Sequence, residues 1–187
     1  MSPKEARTLM MEWVESDALR THMECVAACM ESYCSGDEED RSRWIVTGLL
    51  HDFDYERHPT KEEHPFVGVD YLRNKTDVGE EVIDAILGHA TYSGVPRTTD
   101  MAKTLFAVDE LSGFIVACAL VRPTGLEGMR AKSVRKKLKN KKFAAAVSRE
   151  DITTGIDELG VELSEHIDRC IDAISAAGIN IHTQESC

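Results

Sequence analysis

The sequence predicts an all-α fold. Apolar residues recur at three- and four-residue spacing along most of the 187-residue chain, and helix start and stop signals punctuate it. Alternating apolar and polar runs are too short for a sheet, and the one low-complexity tract is basic. Length and a hydrophobic content of 42% suit one domain, residues 1–187, with an ordinary core.

Ser2-Pro3-Lys4-Glu5 has the form of a capping box with Pro at the first helical position, so a first helix runs to about Val14. Ser16 or Asp17 caps a second, with Leu19, Met23, Val26, Ala27 and Met30 at helical spacing, and Cys34-Ser35-Gly36-Asp37 breaks it. A third helix, from about Glu39 to Phe53, turns Trp44, Ile45, Gly48 and Leu49 inward. Asp54 to Glu63 is charged, contains Pro59 and reads as a loop too polar for the core. His64-Pro65 opens a helix with Phe66, Val69 and Leu72 inward, and Asp77-Val78-Gly79-Glu80 caps another that carries Val82, Ile86 and His89 on one stripe. After a loop with Gly94 and Pro96, Thr99 or Asp100 starts a long apolar helix that Arg122-Pro123 ends. Two last helices follow, marked by Ser148 as a cap, Gly160 as a stop, and Leu163, Ile167, Ile171 and Ile174 in register.

Composition excludes some functions. The longest purely apolar run, Phe114 to Val121, is far below the roughly 20 residues that cross a bilayer, so no membrane partner is expected. The N-terminus lacks the apolar core of a secretory signal, which makes the cytoplasm the expected location. The six cysteines contain no C-x-x-C pair and read as reduced thiols that mostly fill the core, with Cys187 an exposed tail residue. A net charge of −11 argues against sequence-independent nucleic-acid binding over the whole surface. Residues 130–142 depart from that balance, holding eight of the chain's 22 Lys and Arg and no acid. They read as a solvated basic helix or loop, or as a local phosphate-binding edge.

The histidines carry the chemical signal. His58 in the charged loop, His182 in the tail and His166 between acidic neighbours suit solvent roles. His22, His51, His64 and His89 instead sit on or at the ends of four separate apolar helices. Asp52 follows Leu49-Leu50-His51, and Asp109 lies within the most apolar helix of the chain. A buried carboxylate needs a cation or hydrogen bonds, and imidazole with carboxylate is a usual ligand set for Zn, Mn, Fe, Co or Ni.

The order His22, His51-Asp52, Asp109, each from its own helix, resembles the H…HD…D pattern of the HD-domain superfamily of metal-dependent phosphohydrolases. The words GLLHDFDYE, HPFVGVDYL, AILGHATYSG and AVDELSGFIVACALVRP are most similar to uncharacterised HDIG-type predicted hydrolases. The resemblance implies a helical bundle of the HD type with its metal-site core at about 16–123, a basic segment and C-terminal helices at 124–178, and a tail at 179–187. It implies His22, His51, Asp52 and Asp109 as metal ligands. In the two-metal branch two further histidines join them and the doublet aspartate bridges the ions, which points to His64, His89 and a bridging Asp52. Helix capping for His64 and core packing for His89 are the alternatives.

The implied cofactor is one or two divalent transition metal ions, and the implied reaction is hydrolysis of a phosphate ester of a small metabolite or nucleotide by a metal-activated water. Di-iron oxygenases share the scaffold, and a silent nucleotide-sensing module is a third reading. Relatives often place one Lys or Glu where this chain has Tyr55, which leaves the proton donor unassigned. Asp54 and Glu56 are the candidates for acid–base or ligand-supporting work, against a salt-bridged loop role. Lys61, Arg97, Lys103 and Arg122 are the candidate phosphate contacts.

Overall fold

The computed structural model describes residues 1–181. Among these residues there are nine α-helices and no strand: α1 (Pro3–Trp13), α2 (Asp17–Tyr33), α3 (Glu38–Leu50), α4 (Phe66–Lys75), α5 (Glu80–His89), α6 (Asp100–Leu120), α7 (Ala131–Leu138), α8 (Arg149–Leu159) and α9 (Leu163–Ala176). None is long and apolar enough to cross a membrane. The expected Cys187 thiol and His182 lie outside the described residues.

Local chemistry explains the helix ends. Ser2 Oγ accepts from Glu5 N while the Glu5 carboxylate accepts from Ser2 N, completing the capping box of α1. Side-chain oxygens of Ser16, Asp37, Thr99 and Ser148 accept backbone N–H groups in the first turns of α2, α3, α6 and α8. Gly160 stops α8 at φ 70°, a conformation that a side chain resists.

Helix α6 forms the axis. Its sequence is apolar almost all round, so α2, α5, α8 and α9 can pack on different sides of it. Phe114, Leu111, Leu105 and Ile115 are fully buried there, each worth about 1.5–3 kcal/mol of burial. α2 also lies along α3, and α1 covers α3 from outside. Two glycines permit unusually close approaches. A Cβ on Gly48 in α3 would fall 2.5 Å from Ala27 Cα in α2, and one on Gly155 in α8 would fall 2.7 Å from Ala107 Cα in α6.

The structure corrects several local expectations. Helix α3 ends at Leu50, and residues 51–57 form turns in which Tyr55 N donates to Asp52 O and Arg57 N to Asp54 O. Asp54, expected in solvent, is buried. Pro65 stands at the cap of α4 rather than inside it, and Phe66 is exposed because its first-turn position points away from the core. Trp44 and Ile45 are half-buried. His166, expected to face solvent, is 1% exposed: its Nδ1 meets Tyr33 Oη at 2.6 Å and its Nε2 meets Ala107 O at 3.0 Å. Those two partners satisfy both ring nitrogens, which is how a polar ring sits in the core between α2, α6 and α9. The basic stretch forms α7, with Ala131 and Val134 buried beneath it. Cys25, Cys29, Cys118 and Cys170 are buried free thiols, and Cys34 is half-buried.

Candidate metal centre

Five separate segments converge on one point. α2 supplies His22, the end of α3 supplies His51 and Asp52, the turn before α4 supplies His64, the last residue of α5 is His89, and the middle of α6 supplies Asp109. Gly48 brings α2 and α3 close enough for the first two histidines to meet.

Asp52 divides the cluster into two halves. On one side, His22 Nε2 lies 3.0 Å from Asp109 Oδ1 and 3.3 Å from His51 Nε2. Asp52 Oδ2 is 3.4 Å from His51 Nε2 and 3.8 Å from His22 Nε2. On the other side, Asp52 Oδ1 is 3.3 Å from both His64 Nε2 and His89 Nε2, which are 3.2 Å apart. Each half contains three residues whose ligand atoms are close enough to share one ion. Ligands about 2.1 Å from an ion at octahedral or tetrahedral angles lie about 3.0–3.4 Å from each other, close to these separations.

The outer ring atoms show why a cation fits. His51 Nδ1 faces Gly48 O at 2.9 Å, His89 Nδ1 faces Ile86 O, and His64 Nδ1 faces Asp54 Oδ1 at 2.7 Å. All three partners are acceptors, so each Nδ1 carries a proton, and a neutral ring then turns its Nε2 lone pair inward. Two pairs of Nε2 atoms oppose each other at hydrogen-bond distance beside two carboxylates. One proton serves one such nitrogen, whereas a cation between them satisfies every donor atom in its half. α3 and α5 also end at the cluster, where the carbonyl-rich C-termini favour positive charge.

Titration behaviour reflects the same crowding. Burial alone would raise the Asp52 pKa, yet the imidazoles of His51, His64 and His89 hold it well below the carboxylate range. Burial works against the charged form of His51, but Asp52 and Asp109 outweigh it and raise the pKa well above normal. His64 is likewise pushed up to about 9 against burial, through Asp52 and Asp54.

The family comparison completes this picture. A family model described as "HD domain" matches residues 19–113, about half of the chain and the segment that contains all six of these residues. The chain belongs to the HD domain family. HD domains bind divalent metals and act generally as metal-dependent hydrolases, and the paired His and Asp clusters fit that chemistry. No curated protein and no solved structure matches the chain.

The HD domain opens this His and Asp cluster to a cavity of about 420 Å³. His22, Asp52, His64, His89 and Asp109 form its floor, while Tyr55, Tyr92 and Phe106 supply aromatic wall. The Tyr92 hydroxyl donates to His64 O at 3.0 Å, and the Tyr55 ring stands edge-on to His64. Val147 and Asp151, from beyond the matched segment, close the remaining side with Glu110. Ser148 N donates to Glu110 Oε2, which ties that outer wall to α6. Burial first, and then the charge of Asp109, push the Glu110 carboxyl up to about 7.

The other candidates from the sequence lie elsewhere. Asp54 sits behind His64, accepting also from Gly68 N at 2.7 Å, and does not line the cavity. Glu56 accepts from the backbone N–H groups of Glu15 and Ser16 before α2. Arg97 grips Glu158 at 2.6 Å, donates to Gly88 O and stacks over Phe106. Arg122 donates to the carbonyls of Gly125 and Glu127, and neither it nor Lys103 lines the cavity. Lys61 does not line the cavity either, but its ammonium lies 5.5 Å from the ring centre of Tyr92, which does. Glu110, Tyr92 and Asp151 were not legible as site residues. Glu110 had one available signal, an acid directly after Asp109 in an apolar helix, whereas Asp151 reads as an ordinary first-turn acid after the Ser148 cap.

Proposed function

We propose that this HD domain hydrolyses a phosphate ester of a small metabolite or nucleotide at a two-ion centre. Within the family, we read the segments around these residues as resembling the HDIG-type hydrolases. The observation that carries the reading is the Asp52 carboxylate, whose two oxygens face two separate sets of imidazole nitrogens at the floor of an open cavity.

His22, His51, Asp52 and Asp109 would hold one ion, and Asp52, His64 and His89 would hold the other. With divalent ions bound, this ligand set would supply an activated water near neutral pH, polarisation of a phosphoryl oxygen and countercharge for the phosphate. Asp54 fixes the His64 ring by taking its Nδ1 proton into a short hydrogen bond, and Gly68 N fixes Asp54 in turn. Glu110 and Asp151 are the carboxyl groups on the cavity wall placed to pass a proton to a departing oxygen. Tyr55, Tyr92 and Phe106 shield the reacting end from bulk water, and Lys61, over the Tyr92 ring, adds positive charge that attracts the anion.

The test is phosphate release from a panel of phosphomonoesters, cyclic nucleotides and nucleoside triphosphates with added Mn, Co or Ni. Turnover of at least one class, lost by a factor of about 100 or more in Asp52→Ala, is the expected result. Metal-loaded protein that releases phosphate from none of them, or that holds a coupled iron pair and consumes oxygen with substrate, overturns the reading.

A further inference from the structure

Helix α7 borders two adjoining cavities that share Arg135 and Lys139 and contain none of the metal-centre residues. The first, about 600 Å³, is walled by Lys132, Arg135, Lys136 and Lys139. Its polar partners are few. The Asp168 carboxylate there accepts from Ala131 N at 2.7 Å, and Arg135 donates to Ser164 Oγ at 2.8 Å. Among the described residues, Lys132, Lys136 and Lys139 have no carboxylate within ion-pair distance, in a chain of net charge −11. The second cavity, about 470 Å³, is walled by Leu138, Ile152, Ile156 and Leu163 and edged by Thr153 and Asp157. Arg149 also lines it, its guanidinium fixed by the carbonyls of Ala144 and Val147, with its Nε buried and unpartnered.

Both volumes fall within the range of small-ligand sites, roughly 300–1,000 Å³. A ligand that spans them needs clustered negative charge at one end and a flat apolar body with hydrogen-bond donors at the other. Phosphate oxygens suit three free ammonium groups and a guanidinium. A heterocyclic base suits the aliphatic walls and the planar faces of Arg135 and Arg149. Its amine, or the hydroxyls of an attached sugar, suit the Asp157 carboxylate and Thr153 hydroxyl.

We infer that the α7 groove is a second binding site, separate from the metal centre, for a nucleoside di- or triphosphate. Phosphates lie along Lys132, Lys136 and Lys139, and the base lies between α7, α8 and the start of α9. The site stands whether or not the metal centre hydrolyses phosphate esters.

Calorimetric titration of the metal-loaded full chain with ADP, inorganic pyrophosphate and a 12-nucleotide single-stranded RNA tests this. All are run on the wild type, Lys136→Gln/Lys139→Gln and Thr153→Trp. The lysines and Thr153 are exposed, so these variants leave the core intact, and unchanged metal content shows that the first site is undisturbed. The expected result is saturable ADP binding that weakens at least about tenfold in the lysine variant. Thr153→Trp, which fills the apolar cavity, is expected to weaken ADP by a similar factor and leave pyrophosphate unchanged. Pyrophosphate that binds as tightly as ADP, ADP affinity indifferent to both variants, or no saturable ADP binding overturns the inference. RNA that binds more tightly than ADP through the same lysines reassigns the groove to nucleic acid and overturns it equally.

Discussion

Asp54 shows how much a single buried side chain decides in this molecule. One of its oxygens holds His64 Nδ1 and the other holds Gly68 N, both at 2.7 Å, and the side chain is 1% exposed. In Asp54→Asn the amide nitrogen must face either Gly68 N–H or the ring N–H, so one donor loses its acceptor. Affinity for the second ion of a metal titration is expected to fall about 10–100-fold, with the first ion retained; equal affinity for both ions would contradict that role. His166 gives a second prediction. Burial lowers its pKa, so the unfolded chain takes up its proton more readily than the folded one. Its contribution to stability is therefore full above the unfolded value of about 6.5 and is lost as pH falls from there through the lower folded value. Urea unfolding at pH 7.5 and pH 5 is expected to show the stability gap between wild type and His166→Gln narrowing at the lower pH. The residue scale is also where sequence reading divides. His51 and Asp52 are legible because two polar groups interrupt an apolar face, whereas the acids flanking His166 suggest solvent and its distant partners, the Tyr33 hydroxyl that donates to Nδ1 and the Ala107 carbonyl that accepts from Nε2, leave no local trace.

Among elements, the pairing of α2 with α3 matters most, since it sets the distance between His22 and His51. Gly48 permits that approach, and a methyl group there would press on the Ala27 backbone, which cannot rotate away as a side chain can. Gly48→Ala is expected to destabilise the fold by about 1–3 kcal/mol in urea unfolding and to weaken metal binding as the helices part. Unchanged stability would show that α3 can shift without cost. Most helices could be read from their caps, because Ser2, Ser16, Thr99 and Ser148 act on N–H groups two or three residues away. The end of α3 could not, since its apolar pattern continues through Phe53 while the backbone already turns at His51. Phe66 and Asp54 exchanged their expected environments for a related reason: burial after a turn depends on chain direction, which periodicity does not encode.

At the scale of the whole molecule, α6 brings Asp109 to His22 across 87 positions of sequence, and the α5 terminus brings His89 to His64. Spacing alone says nothing about such meetings, so the ligand set was legible only through the order of residue types that resembles the HD pattern. The residues beyond the matched segment were the least legible part of the site, because Val147 and Asp151 reach the cavity through the packing of α8 on α6. The central claim is that one Asp52 carboxylate joins two ion sites. Metal analysis of protein loaded with Mn or Fe and freed of loose ions tests it most directly. The account predicts two ions per chain in the wild type, one in His64→Ala/His89→Ala, and none in His51→Ala/Asp52→Ala, each variant checked for native helix content. Stoichiometric metal retained by the His51→Ala/Asp52→Ala protein would contradict it.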